Sequence, residues 1–176
     1  AAAFGFVQSF TEMSETLGPL PDMLILASPK ASNSTDRSFA QKGASSPSKF
    51  VHTLPNVRGA PLLQVMAWGG PVLCLQNGSE TVLAGIDQAI GFLETDADLN
   101  RIWVVSFIES ALENEPSFEV HYFVLSKDSG SITLRPPEQL LSVRSDRLWL
   151  EWVCTNGSGS FNLSNSHSAV FLNGGS

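Results

Sequence analysis

Residues 102–108 have the sequence IWVVSFI, which is almost continuously apolar. A short apolar run of this kind, rich in β-branched and aromatic residues, is typical of a strand that is buried on both faces. A second apolar run follows at residues 118–125, and it ends at the turn-forming residues 127–130. We therefore place a central strand at 102–108 and extend the fold prediction outward from it.

Strand signals also dominate the amino-terminal side of this segment. Between the apolar runs 72–76 and 81–86 lies the dipeptide Asn77-Gly78, a strong hairpin signal because both residues tolerate positive φ. Residues 81–86 are accordingly predicted to return as an antiparallel strand. Residues 88–94 fit either a helical turn or a strand. Further strands are predicted at 4–10, 23–27 and 62–68.

Alternation continues near the carboxyl end of the chain. Leu148, Leu150 and Trp152 fall on one face of a predicted strand, and Trp149 falls on the other. The last strands are predicted at 161–163 and 169–172.

Taken together, these segments predict an all-β fold, an antiparallel β-sandwich or barrel of roughly ten short strands with at most one or two short helical turns. A chain of 176 residues is near the size of one domain, so we predict a single β domain over residues 1–176. Residues 28–49 are rich in Ser, Ala and Lys, and they are expected to form a long flexible surface loop.

Composition excludes two classes of partner. The formal net charge is −7, and the ten Lys and Arg residues do not cluster, so we expect no nucleic acid to bind through this domain. No apolar run reaches the ~18 residues that a membrane-spanning helix needs, so we expect no membrane insertion. Cys74 and Cys154 lie in apolar runs and are interpreted as small core residues, but the sequence leaves open whether they pair.

No motif predicts catalysis, and we expect the protein not to be an enzyme. None of His52, His121 and His167 stands at the i, i+4 spacing of a helical metal pair, although distant residues can still meet in a fold. The serines at 157–160 lack the G-x-S-x-G order of a nucleophile elbow.

The acidic segment after residue 94 is a candidate cation site. Asp96, Asp98 and Asn100 carry oxygen ligands at alternate positions, as at the start of a calcium loop. Arg101 stands where an EF-hand requires glycine, so the pattern is not an EF-hand. We retain a surface calcium site at these three residues as one interpretation, beside a solvated acidic turn. No other cofactor is predicted.

Two tryptophans are candidate binding residues. Trp68 precedes Gly69-Gly70 at a predicted strand end, and Trp149 lies opposite the predicted core face of its strand. An exposed tryptophan serves as a stacking platform for sugars or as an interface anchor.

Many short strands, the Ser- and Asn-rich segment 31–48 and the similar end at 162–176 resemble the projecting domain of a small non-enveloped RNA-virus capsid protein. Nodavirus-like and tetravirus-like capsids, including that of Lake Sinai virus, are the groups that it resembles. This resemblance implies a viral protein of the virion surface that forms a spike from copies of itself, as a trimer or a dimer. It also implies attachment to the host through a receptor or a glycan.

A carbohydrate-binding β-sandwich, secreted or on the cell surface, is the alternative. An exposed aromatic groove would favour that extracellular module. A symmetric oligomer with a tip covered by loops would favour the capsid projection domain.

Overall fold

A computed structural model of the chain describes residues 2–28, 40–41, 55–112, 115–127, 159–164 and 167–174. These residues form a six-stranded sheet with α-helices on both faces. The predicted all-β sandwich or barrel is therefore wrong, and the fold class is α/β. The elements in chain order are α1 (Ala2–Leu17), β1 (Met23–Ala27), α2 (Pro55–Val65), β2 (Val72–Leu75), a 3₁₀ turn (Gly78–Glu80), α3 (Thr81–Thr95), β3 (Arg101–Leu112), β4 (Glu115–Ser126), β5 (Gly159–Ser164) and β6 (His167–Gly174).

The sheet is mixed, with strand order β2-β1-β3-β4-β6-β5. Strand β1 is parallel to β2 on one side and to β3 on the other. The remaining neighbours, β3 with β4, β4 with β6 and β6 with β5, are antiparallel. Parallel neighbours need a crossover connection, and α3 is the crossover between β2 and β3.

The central strand predicted at 102–108 is confirmed as part of β3. Residues 102–107 are all buried, and β3 lies between β1 and β4. Its side chains alternate between two hydrophobic cores, with Ile102 and Val104 in the core beneath α3. Trp103, Val105 and Phe107 lie in the core beneath α1 and α2. Burial on both faces therefore results from two helical layers, not from two stacked sheets.

Residues 81–86 begin helix α3, so the strand predicted there is wrong. Gly78 does adopt a positive φ of 57°, but the turn continues into the 3₁₀ segment and the helix. The Thr81 hydroxyl accepts from the Asn77 N–H (2.7 Å) and donates to the Gly78 carbonyl (2.9 Å), which holds this turn in place. Over the whole helix the buried residues Val82, Ile86, Ala89 and Leu93 show helical spacing. The window of residues 81–86 is too short to show this helical spacing.

Helix α1 replaces the strand predicted at 4–10. Phe6 and Leu17 are buried in the core beneath α1 and α2, and Phe10 and Met13 pack against that core. These four residues follow the i, i+4, i+7, i+11 spacing of one helix face. Residues 62–65 are likewise the end of helix α2 and not a strand, with Leu62 buried in the same core.

Several predictions fall on residues outside the described part of the chain. They include the strand at 148–154 and residues 29–39 and 42–49 of the predicted surface loop. The single-domain assignment stays a prediction. Among the described residues no helix is long and apolar enough to cross a membrane.

Replacing Leu62 tests the packing of α2. Leu62 is 0% exposed, so Leu62→Ala is expected to lower the free energy of unfolding by about 2–5 kcal/mol. Gln64→Ala is the matched control, because Gln64 is exposed on the same helix and its loss should change the value by less than about 0.5 kcal/mol. Urea denaturation of both variants measures the difference. Equal stability of the two would show that this helix face does not pack on the sheet.

Candidate functional site

The strand order reverses at β1. From β1 the chain passes through α2 to β2 on one side, and from β2 it returns through α3 to β3 on the other side. The two helices contribute to different cores and so lie on opposite faces of the sheet. In open α/β sheets such a reversal leaves a crevice outside the carboxyl ends of the strands, where ligands bind. The carboxyl end of β1, at Ala27, therefore marks the level of the sheet at which a ligand site is expected.

A row of residues crosses five strands at this level. Leu75, Ala27, Ser106, His121 and Asn173 are successive register partners in β2, β1, β3, β4 and β6. Ser106 lies two residues after Val104 and His121 two residues before Phe123, which places both on the face covered by α3. Both are buried, at 0% and 3% exposure. The structure thus brings together a hydroxyl and an imidazole that are 15 positions apart in the sequence.

The Ser106 hydroxyl is exceptional among the buried hydroxyls. Ser28 Oγ donates to the Phe107 carbonyl (3.0 Å), Ser9 Oγ lies 3.5 Å from the Tyr122 hydroxyl, and Thr81 is paired within its turn. Ser106 Oγ has no hydrogen-bond partner among the described residues. An unsatisfied buried hydroxyl costs about 1–3 kcal/mol, so its presence calls for a physical reason.

The first turn of α3 lies over the same part of the sheet. A Cβ added at Gly85 would lie 3.0 Å from Val104 Cγ1 and 3.5 Å from Ala27 Cβ, so the helix approaches β1 and β3 closely. One turn earlier, Thr81 and Val82 therefore lie near the level of Ser106. The amino end of a helix carries a partial positive charge, which together with a hydroxyl favours an oxygen atom as a ligand.

Sequence reasoning missed Ser106 and His121 as a pair. The available signal was that each interrupts an apolar run, at 102–108 and at 118–125, in two segments joined by a short connection. Antiparallel pairing of those segments brings the two interruptions together. The exact register could not be read from the runs alone.

The predicted binding residue Trp68 is not an exposed platform. It is half-buried and packs against the core beneath α1 and α2. Its ring lies so close to Gly70 that an added Cβ there would overlap it. The other predicted binding residue, Trp149, lies outside the described residues.

The predicted calcium ligands Asp96, Asp98 and Asn100 lie between α3 and β3, at the opposite end of the sheet from Ser106. Their side chains are exposed, and Asp96 Oδ1 accepts from the Asp98 N–H (3.0 Å). The Lys127 ammonium donates to the carbonyls of Asp96 (2.7 Å) and Ala97 (3.3 Å). Among the described residues no group of three or more His, Cys, Asp or Glu could hold a metal ion. The positive charge of Lys127 thus lies against main-chain oxygens of this loop, where it repels a second cation.

Cys74 lies half-buried in the edge strand β2 and forms no disulfide with any described residue, and burial raises the pKa of its thiol. Cys154 lies outside the described residues, so pairing of the two cysteines stays open.

Comparison with known proteins gives a likeness of fold. No family model matches the chain, and no curated protein matches it. Among solved structures, it is similar to a chain in the complex of a ketosynthase with its chain length factor from Xenorhabdus doucetiae. The TM-score is 0.53 and the identity 16%, and the match covers 94% of this chain and 75% of the other.

The α/β fold and this likeness of fold overturn the functional predictions made from the sequence. The similar chain belongs to the complex of a ketosynthase with its chain length factor, and it is neither a capsid projection domain nor a carbohydrate-binding β-sandwich. The capsid and carbohydrate interpretations both required an all-β fold, which the helices α1, α2 and α3 exclude. The expectation that the protein is not an enzyme rested on the absence of a catalytic motif, and it is overturned by the likeness of fold to a chain of a ketosynthase complex.

The free energy of unfolding of two serine variants tests whether the Ser106 hydroxyl has a hydrogen-bond partner. Ser106→Ala is expected to leave the free energy of unfolding unchanged or to raise it by up to about 1 kcal/mol, because it removes an unsatisfied hydroxyl. Ser28→Ala is the control, since it removes a buried hydroxyl that is bonded to the Phe107 carbonyl, and it should lower stability by about 1 kcal/mol. Urea denaturation compares them. A loss for Ser106→Ala equal to that of Ser28→Ala would mean that its hydroxyl is paired.

Calcium titration tests the loop that contains Asp96 and Asp98. Because the Lys127 ammonium lies against this loop and repels a second cation, millimolar calcium is expected to leave the Tm of the protein unchanged. Thermal unfolding with calcium and with chelator measures this. A rise in Tm with calcium that Asp98→Asn abolishes would establish the calcium site instead.

Proposed function

We propose that the chain is one subunit of a two-chain enzyme assembly, like the complex of a ketosynthase with its chain length factor. A partner of the same fold joins it along strand β2. The observation that carries this proposal is the apolar, uncharged edge that β2 presents, which no other described strand pairs with. The fold likeness supports the kind of partner, because the similar chain occurs in a two-chain complex.

Strand β2 pairs only with β1 among the described strands. The Leu24 N–H donates to the Pro71 carbonyl (3.1 Å) and the Ser28 N–H donates to the Leu75 carbonyl (3.3 Å). Backbone groups alternate in direction along a strand, so Val72 and Cys74 point their N–H and C=O groups away from β1. A second strand could pair with these groups and extend the sheet.

The edge lacks the usual protection of an exposed strand. Native edge strands are commonly guarded by charged side chains, which oppose pairing with other chains. No Asp, Glu, Lys or Arg occurs anywhere in residues 59–79, which include β2 and both of its flanks. All four side chains of β2, from Val72 to Leu75, are half-buried and apolar. Such an edge is suited to burial against another subunit.

The chemistry of the edge also defines its partner. Pairing here is made by backbone hydrogen bonds and by apolar contact on both faces, since charge contributes nothing along this stretch. The partner strand is therefore itself neutral and apolar, as is the edge of a chain with the same architecture. A second copy of this chain and a different chain of the same fold both meet that requirement.

Replacing Val72 by proline tests the proposal. Val72 begins β2, where proline is tolerated, and its N–H is not used in the pairing with β1. The proline removes one outward donor and places its ring against the added strand. Val72→Pro should therefore weaken association about tenfold or more, since 1.4 kcal/mol corresponds to tenfold in an equilibrium constant. Val72→Ala, which keeps the N–H, is the matched control and should weaken it much less.

Sedimentation equilibrium measures the association. It is run on the chain alone and on the chain mixed with a ketosynthase from the organism that produces this chain. Thermal unfolding of each variant checks that the fold is kept. A wild-type chain that stays monomeric in both experiments would overturn the proposal. Association that Val72→Pro leaves unchanged would assign the contact to another surface and would also overturn it.

A further inference from the structure

We draw no further inference here: the strongest candidate, the buried side-chain pair of Ser106 and His121 on the face of the sheet that α3 covers, belongs to the candidate site already described, and nothing in the described part of the chain shows how a ligand would reach it.

Discussion

Burial of apolar side chains on both faces of β1 and β3 is the constraint on which the rest of the structure depends. Each fully buried Val, Leu, Ile or Phe contributes about 1.5–3 kcal/mol, and residues 102–107 bury side chains on both faces in strict alternation. Each face then needs its own cover. Helix α3 provides it on one side and α1 with α2 provide it on the other. The three-layer α/β architecture follows from this requirement.

The positions of the helical layers also determine where the buried pair of Ser106 and His121 and the edge strand β2 lie. Because α2 and α3 lie on opposite faces, the strand order reverses at β1, and the buried pair of Ser106 and His121 lies in the same row of the sheet as Ala27, the last residue of β1. Because the chain turns back through α3 after β2, that strand is left at the edge. The candidate site and the proposed docking edge are therefore neighbours, joined by the turn at Gly78.

The sequence predicted those elements whose signal is local and strong. The strands predicted at 23–27, 72–76 and 102–108 correspond to β1, β2 and part of β3, because short apolar runs fit a buried strand. Residues 81–86 and 4–10 were misassigned, because a window of six or seven residues does not separate a period of 2 from one of 3.6. Asn77-Gly78 marked a real turn, but a strand-to-helix turn uses the same positive φ as a hairpin. The pairing of Ser106 with His121 depends on the register between β3 and β4, and neither apolar run alone specifies that register.

Amide hydrogen exchange along β2 tests the central claim. The claim is that the outward amides of this strand have no backbone partner in the monomer and pair with a strand of the partner in the assembly. In the monomer, the Leu73 and Leu75 amides should be protected by pairing with β1, whereas the Val72 and Cys74 amides exchange rapidly. In the assembly, all four should be protected. Slow exchange at Val72 and Cys74 in the monomer, or fast exchange there in a stable complex, would contradict the account.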